Sequence, residues 1–573
     1  MKNREIADLF EAIADMLELL GGNAFKINAY RRSSRVVGDL TDDIADVAKA
    51  GKLQGLPGIG ASTAKKIDEY LRTDKMARYE ELKAQVPPGV VEMIHVPGLG
   101  PKTAGLLHKE AGIEGVAQLK QAIAAGTLGD LPGLGPKKLE NILKGIDTYL
   151  AGQARILLGQ ALPIAEEICE AMKRVDGVRE VLPAGSLRRR RETIGDIDIL
   201  VSSTGGKAVV DAFVALPAVR EVLAAGDTKG SVRVDGGLQV DCRVVPPESF
   251  GAAAQYFTGS KAHNVRLREI AIGTKLKLNE YGVFQGDKQI AGKTEEEVYK
   301  ALGLPWVPPE LREDRGEIEA ALKGKLPALL EPKHVRGDLH LHSTHSDGSA
   351  SIADMAAACR KLGYDYMCVT DHSQSLKVAG GLTPQDLRKQ RKEIDALNRK
   401  LRGFLVLAGC EVDILADGSL DLPDATLAGL DLVVASIHSG MQQSEQRLTR
   451  RIVAAMRHPH VHAIGHPTGR IMGQREPYPL DFDHIVRAAR ATGTALEINA
   501  YYERLDLNDV HVKAAREAGV KLLLGSDAHS PDQLRMMRFG IATARRGWAG
   551  PRDVVNALPS ARLLAWTRLK AKT

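Results

Sequence analysis

Histidine is distributed unevenly along this 573-residue chain. Thirteen of its sixteen histidines follow Lys333, and many stand beside acids in short apolar segments, such as Asp371-His372 and Gly465-His466-Pro467. Neutral imidazole and carboxylate are the groups with which proteins bind zinc, manganese and iron. The C-terminal part is therefore predicted to hold several metal ions. The candidate ligands are His340, His342, Asp347, His372, Glu411, His438, His466, Asp527 and His529.

A second group of acids lies earlier in the chain. Asp196 and Asp198 alternate with isoleucines in the segment 194–201, and Asp241 has a similar place in the segment 237–244. Successive side chains of a strand point to opposite faces, so the alternation puts the acids on one face. Three carboxylates on adjacent strands would bind two Mg²⁺ or Mn²⁺ ions, an arrangement that activates an attacking hydroxyl and stabilises a leaving pyrophosphate.

Gly185-Ser186 and a run of four arginines, residues 188–191, precede these acids. A hydroxyl, backbone amides and guanidinium forks suit a triphosphate. A charged surface turn would explain the arginines, but it would not explain the Gly-Ser pair or the acids that follow.

One pattern, apolar-Pro-Gly-apolar-Gly, occurs three times in the first 150 residues, and an amphipathic helix containing lysine follows each copy. Paired glycines permit positive φ and close backbone approach, and a helix N-terminus directs amides at an anion. Three copies favour a clamp for DNA phosphates that reads no base sequence; the alternative is three tight turns between helices. The glycines are Gly58, Gly60, Gly98, Gly100, Gly133 and Gly135.

The elements that must position these residues change along the chain. Residues 1 to about 150 are predicted to be helical, strands and helices mix from about 155 to 305, and a proline-rich connection with a short helix follows. After Val335, seven apolar strands alternate with amphipathic helices, and the strands end in polar clusters. This pattern predicts a distorted (βα)7 TIM-like barrel, in which strand ends bring distant ligands together. The predicted strands are 338–342, 366–371, 405–411, 432–438, 463–466, 495–499 and 522–527.

Composition sets broad limits on location and partners. No apolar run is long enough to span a membrane and the N-terminus is unlike a signal peptide, so a cytoplasmic protein with no membrane contact is expected. The five cysteines form no C-x-x-C pair and are expected to be reduced. A net charge of +6 is compatible with a polyanionic partner.

Two motifs make residues 1 to about 305 resemble the family X DNA polymerases, the family of polymerase β. The family's nucleotidyltransferase signature runs from Gly185 to Asp198, and its sugar-sensing turn is the segment 256–260, Tyr-Phe-Thr-Gly-Ser. The resemblance implies a polymerase palm and thumb behind helix-hairpin-helix motifs, with Asp196, Asp198 and Asp241 as catalytic, metal-binding acids. It also implies a set of nucleotide-binding residues: Ser186, Arg189, Gly195, Tyr256, Phe257, Gly259, Asn264 and Arg268.

Each of these residues has a role that the resemblance implies. Ser186 and Arg189 would bind the β and γ phosphates, and the segment 256–259 would screen the sugar against a 2′-hydroxyl. Asn264 would face the incoming base, with Arg268 near the template. Asp241 would lie nearest the primer 3′-hydroxyl, steadied by Arg243.

Lys66 falls where the family carries its Schiff-base lysine in a small lyase domain. An amine activated by a neighbouring cation, here Lys65, can attack the aldehyde of an abasic site. The alternative is a helix lysine that touches phosphate.

The C-terminal segment resembles a PHP (polymerase and histidinol phosphatase) domain over most of its length. Its H-x-H, S-D-G, D-H, S-x-H, G-H-P and S-D-A-H elements are present. The resemblance implies about three metal ions, Zn²⁺ and/or Mn²⁺, and a phosphoesterase that acts on a DNA 3′ end. Arg470 is a candidate phosphate clamp, and His345, close to Asp347, is an alternative ligand.

Together the patterns and the two resemblances imply a monomeric DNA polymerase that fills short gaps in gapped or nicked duplex DNA with dNTPs during DNA repair, of which base excision repair is one pathway. A 3′–5′ exonuclease, with abasic-site endonuclease activity as a further option, would occupy the barrel. Two alternatives are a barrel that is a small-molecule phosphatase and a barrel that is only a scaffold. The predicted division is a lyase-like domain 1–85, a fingers-like helical subdomain 86–155, a palm 156–245, a thumb 246–305, a linker 306–335 and a PHP domain 336–573.

Overall fold

The computed structural model describes residues 2–38, 44–56, 58–94, 96, 98–129, 131, 133–153 and 155–570. The chain forms two compact units, Met1–Arg155 with Gly236–Leu238, and Ile156–Asp235 with Gln239–Thr573. No described helix is both long and apolar enough to cross a membrane. All five cysteines are free and buried, as the sequence predicts.

The first unit is built from helices. Ile6, Phe10, Ile13 and Leu17 recur at helical spacing and are buried, so the first helix turns one apolar stripe towards the core. The second helix packs against it, with the rings of Phe10 and Tyr30 5.9 Å apart. The helices are α1 Asn3–Leu19, α2 Ala24–Gly38, α3 Ile44–Lys49, α4 Ala61–Thr73, α5 Ala77–Lys83, α6 Pro88–Met93, α7 Pro101–Ala111, α8 Val116–Ala124 and α9 Pro136–Gln153.

The three glycine turns of this unit share one geometry. Gly58, Gly98 and Gly133 have φ of +100°, +83° and +78°, a region that favours glycine. The second glycine of each turn directly precedes α4, α7 or α9. The apolar residues between the glycines are buried and anchor each turn: Ile59, Leu99 and Leu134. The prolines of the three turns lie outside the described residues.

The second unit begins with a five-stranded sheet. Its strand order is β2-β4-β7-β6-β5, with β4 and β7 parallel and the other neighbours antiparallel. The segment predicted as one strand, 194–201, is divided at Gly195 into β3, which pairs with β1, and β4. The elements are β1 Ile156–Leu157, α10 Leu158–Met172, β2 Glu180–Pro183, α11 Gly185–Arg188, β3 Thr193–Ile194, β4 Asp196–Ser202, α12 Gly206–Val214, β5 Val219–Ala225, β6 Lys229–Val234 and β7 Gln239–Val245.

A smaller antiparallel sheet, in the order β10-β9-β8, follows together with four helices. The predicted linker contains one of these helices, α16, but it does not run as an open connection. Leu311 and Ile318 are buried in one hydrophobic cluster with Leu267 and Trp548, because the segment packs between the small sheet region and the barrel. The elements are α13 Phe250–Thr258, α14 Lys261–Gly273, β8 Lys277–Asn279, β9 Gly282–Gln285, β10 Lys288–Ala291, α15 Glu295–Ala301 and α16 Glu317–Leu322.

The predicted barrel is confirmed. Seven parallel strands follow one another in chain order, and the backbone N–H of His342 donates to the carbonyl of Ala528 at 2.9 Å, which brings the last strand beside the first. Nearly every strand residue is buried because helices cover the outside, which explains the continuous apolar runs. The elements are β11 Gly337–Leu341, α17 Ile352–Lys361, β12 Tyr366–Val369, α18 Pro384–Lys400, β13 Leu405–Asp413, α19 Asp424–Leu427, β14 Leu432–Ser436, α20 Glu445–Arg457, β15 Ala463–Ile464, α21 Phe482–Thr492, β16 Ala495–Asn499, α22 Asp509–Glu517, β17 Leu522–Gly525, α23 Met537–Arg546 and α24 Ser560–Lys570.

Candidate active sites

The three predicted acids of the first sheet come together. Asp198 lies directly opposite Asp241 in the parallel pair β4–β7, and Asp196 is two residues away on the same face of β4. Gly185 stands over them with φ +59°, and a Cβ at this position would collide with the Asp198 carboxylate. Only glycine therefore fits this turn while Asp198 keeps its place.

The charges of these three acids favour the binding of cations. Burial and the neighbouring Asp196 and Asp241 raise the pKa of Asp198 to about 7. Burial alone would raise the pKa of Asp241 too, but hydrogen bonds, chiefly from Lys229 at 2.8 Å, hold it below its usual value. Three carboxylates that repel one another and offer only oxygen donors fit Mg²⁺ or Mn²⁺. Sequence reasoning missed Lys229, which lies on β6 opposite Arg243 and shows only once the strands are paired.

A pocket of about 150 Å³ opens beside these acids. The Arg243 guanidinium lies 4.7 Å from the centre of the Phe257 ring on its wall, and Phe257 meets Tyr256 edge-to-face at 5.1 Å. These contacts fix the two rings and the arginine relative to one another, next to Asp241.

Asn264 is held rigidly next to the ring pair. Its side chain accepts from Gln255 and donates to the Tyr256 carbonyl, both at 2.7 Å, and Arg268 donates to its backbone oxygen at 3.3 Å. The sequence did not reveal Gln255, a buried residue of α13 that belongs to no recognisable motif.

The arginine run has carboxylate partners. Arg188 donates both arms to Glu295 at 2.8 and 2.7 Å, and Arg189 donates to Glu313 at 3.0 Å. Ser186 lies beside them in the short helix α11. A triphosphate at this turn would have to compete with Glu313 for the Arg189 guanidinium.

The nine candidate ligands of the barrel converge at its mouth. Eight of them form three groups whose ligand atoms lie within 4.8 Å of one another. His466 adjoins the third group, with Nε2 2.8 Å from Glu411. The groups are His342 with Asp347, His372 and His529; His340 with His342 and Asp527; and His372 with Glu411 and His438.

Acceptors behind the histidines orient them. His340 Nδ1 donates to Glu497 at 2.6 Å and His438 Nδ1 to Asp413 at 2.5 Å, which turns Nε2 of each ring towards the centre. His340 Nε2 is buried and has no hydrogen-bond partner among the residues that the structure describes. A buried imidazole nitrogen without a partner, among carboxylates, fits a metal ion. Sequence reasoning missed Glu497, although it stands in the polar end of a predicted strand.

The pKa shifts at the mouth of the barrel also fit a metal-binding site. Burial acts to lower the pKa of His340, but Glu497 and Glu411 outweigh it and raise this pKa well above its usual value. Likewise, burial acts to raise the pKa of Glu411, and the surrounding histidines, led by His438, hold it well below the usual range. The Glu411 carboxylate is therefore ionised and attracts cations, and divalent metals would replace the extra protons on the histidines.

Comparison with known proteins shows the family of this chain. A Bacillus subtilis (strain 168) protein called "DNA polymerase/3'-5' exonuclease PolX" is 41% identical over 561 residues, 97% of this chain and 98% of its own length. The chain belongs to the family X DNA polymerases. This confirms the family that the sequence motifs indicate.

Family models match separate parts of this family X chain. A helix-hairpin-helix domain matches residues 1–76, a SAM-like helix-hairpin-helix tandem 90–148, the DNA polymerase beta thumb 253–313 and the PHP domain 338–501. Shorter relatives also exist: "Probable phosphatase Teth514_1060" of Thermoanaerobacter sp. (strain X514) is 32% identical over 203 residues, 34% of this chain and 78% of its own length.

Two further residues of this family X chain have places that bear on the predictions. His345 Nε2 contacts Glu393 at 2.9 Å and belongs to none of the three ligand groups found among the described residues. The expectation that Arg470 clamps a phosphate is wrong, because its guanidinium is used by Glu192 at 2.7 Å and by the carbonyls of Arg504 and Leu505. Arg470 instead links the barrel to the residue that directly precedes β3.

In the first unit, Lys66 borders an open pocket of about 550 Å³ together with Lys65. Its amine donates to the Ser62 hydroxyl at 3.0 Å and lies 5.8 Å from the centre of the Tyr30 ring. The pocket gives the amine access from solvent, which a Schiff-base lysine needs.

Proposed function

We propose that the chain is a DNA-directed DNA polymerase that fills short gaps in duplex DNA, and that its barrel is a metal-dependent 3′–5′ exonuclease. One observation carries this proposal: two separate groups of candidate metal ligands lie in a chain that is similar to a polymerase/exonuclease over 97% of its length. A small-molecule phosphatase would not need the glycine turns of the first unit, which are suited to following a phosphate backbone.

In the polymerase site, Asp196, Asp198 and Asp241 would hold two Mg²⁺ or Mn²⁺ ions. When bound, these ions would polarise the phosphates and offset the charge that develops in nucleotidyl transfer. Lys229 steadies Asp241, the acid proposed to lie nearest the primer 3′-hydroxyl. The remaining nucleotide-binding residues keep the roles that the sequence motifs imply.

In the barrel, the nine ligands would hold three ions, Zn²⁺ and/or Mn²⁺, which would activate water and polarise a phosphodiester when bound. Glu497 and Asp413 orient the histidines, while Asp347 and His529 are about one-third exposed and form the open side of the cluster. A DNA 3′ end would enter from that side.

The remaining assignments also belong to this proposal. The six turn glycines would hold DNA phosphates, and the chain would act as a monomer on gapped or nicked DNA in the bacterial cytoplasm. It would be divided into the six parts that the sequence predicts. Lys66 would form a Schiff base with an abasic sugar. Borohydride trapping on abasic DNA tests it: wild type should be trapped and Lys66→Ala should not, and equal trapping would exclude Lys66.

The experiment that tests the main proposal uses two substrates in parallel. On a gapped duplex labelled at its 3′ end, we expect extension with dNTPs and Mg²⁺ or Mn²⁺, and shortening from the 3′ end without dNTPs. Histidinol phosphate, assayed beside it, should be cleaved slowly or not at all. Rapid phosphate release from the small molecule with an intact DNA 3′ end would favour the phosphatase alternative. If metal-loaded protein neither shortened the DNA 3′ end nor released phosphate from histidinol phosphate, the result would favour a barrel that is only a scaffold.

A further inference from the structure

Arg546 joins the barrel to the arginine turn of the first sheet. It is the last residue of α23, and its side chain is 5% exposed. Its guanidinium donates to the Arg189 carbonyl at 2.6 Å, to Glu313 at 3.0 Å and to Asp509 at 2.7 Å. One buried fork therefore connects three segments that are far apart in the chain.

Arg189 is held both by its backbone carbonyl and by its guanidinium. Its carbonyl receives Arg546, and its own guanidinium donates to the same Glu313 oxygen at 3.0 Å. The guanidinium also donates to the Thr258 carbonyl at 2.5 Å, and a Cβ on Gly259 would lie 3.1 Å from it. The contacts thus lead from the barrel, through Arg546 and Arg189, to the turn predicted to sense the sugar.

Glu313 is shared between Arg546 and Arg189, and Arg191 Nη1 lies 3.6 Å from its second carboxylate oxygen. Burial acts to raise its pKa, but Arg546 and Arg189 together hold that pKa below the usual range, so the carboxylate is charged. If Arg546 were absent, Glu313 would have one cation fewer and would hold Arg189 more strongly. A triphosphate that needs Arg189 would then bind less well.

We infer that Arg546, a residue of the barrel, is a positioning residue for the polymerase site. It fixes the backbone of the Arg189 turn and offsets the charge of Glu313, so that the triphosphate of an incoming nucleotide can compete with Glu313 for the Arg189 guanidinium. The inference rests on the proposed polymerase function. It gives the barrel a second role, in nucleotide binding, besides the role of its own ligand site.

The test compares Arg546→Ala and Arg546→Lys with Arg545→Ala in the full chain. Arg545 is a matched control because it lies on the same helix, and its bonds go to Glu310 at 2.8 Å and the Leu330 carbonyl at 2.9 Å. In gap filling, Arg546→Ala should raise KM for the dNTP about tenfold and change kcat less than about twofold, because substrate binding is what weakens. Arg546→Lys should recover part of the affinity, and Arg545→Ala should keep the wild-type KM.

The exonuclease rate on single-stranded DNA should be the same in all three variants, which shows that the barrel is folded. An unchanged KM in both Arg546 variants, or an equal rise in Arg545→Ala, would overturn the inference. If Arg546→Ala does not fold, KM for the dNTP is measured in Arg546→Lys and in Asp509→Asn, which removes the charge of the carboxylate that holds Arg546. An unchanged KM in both of these variants would then overturn the inference. A wild-type protein that adds no nucleotide would refute the proposed function itself, which is a different result from an unchanged KM.

Discussion

Replacing Glu497 by glutamine tests how the barrel orients the histidines that are proposed to bind metal. Glu497 is fully buried in the middle of β16. One carboxylate oxygen accepts from His340 Nδ1 and the other from the backbone N–H of His466, both at 2.6 Å. Because both partners are donors and glutamine offers one acceptor and one donor, one of the two N–H groups would face another N–H.

The expected loss follows from these two bonds. A buried donor left without an acceptor costs about 1–3 kcal/mol. The partner behind a metal-binding histidine is typically worth about 10–100-fold in metal affinity, which corresponds to about 1.4–2.8 kcal/mol. We therefore expect Glu497→Gln to bind its metals about 10–100-fold more weakly than wild type.

The assay is equilibrium dialysis of the metal-free full-length protein against Mn²⁺ or Zn²⁺, with bound metal measured by mass spectrometry. The metal concentration for half-maximal exonuclease activity should shift by the same factor. Glu393→Gln is the control, because Glu393 contacts His345 outside the ligand groups and should keep wild-type affinity. Wild-type affinity in Glu497→Gln, or equal weakening in Glu393→Gln, would refute the reasoning.

Three further substitutions test other parts of the structure. Burial acts to raise the pKa of Glu295, but its arginine partners lower it to about 2 from 4.5; its stabilisation is present above pH 4.5 and lost as the pH falls towards 2. Glu295→Gln should therefore cost about 3 kcal/mol at pH 7, and urea unfolding should show this gap closing between pH 4.5 and 2; a constant gap would contradict the cause given. Gly185→Ala should slow gap filling about tenfold or more, because its Cβ collides with Asp198, while exonuclease activity stays; normal gap filling would show that the turn can relax. Arg470→Ala should lower the free energy of unfolding by about 1–3 kcal/mol, because Glu192 and two carbonyls lose a donor; a raised KM for the DNA 3′ end at unchanged stability would restore the phosphate clamp.

Local patterns were sufficient to predict which candidate ligands lie close together in each of the two groups. The acids of the first sheet follow from alternation within β4 and β7, since a period of two residues fixes which side chains share a face. The barrel ligands follow from polar residues at the ends of apolar strands, since parallel strands place their C-terminal ends together. Both inferences need only a few neighbouring residues.

The partners of those ligands could not be predicted because they are distant in the chain. Glu497 is 157 residues from His340, and Arg546 is 357 residues from Arg189. The Arg470 prediction failed for the same reason: the local motif suggests a phosphate, but an acid 278 residues away binds the guanidinium. Likewise, proline and charge in the segment 306–335 indicate a linker, and no local pattern shows what covers its leucines.

The measurement that tests the account most directly uses two double variants on the same gapped duplex. Asp196→Ala with Asp198→Ala should abolish nucleotide addition and leave 3′-end shortening intact, because only the acids of the first sheet are removed. His340→Ala with His342→Ala should abolish shortening and leave nucleotide addition. Loss of both activities in either folded double variant would contradict the claim of two independent sites.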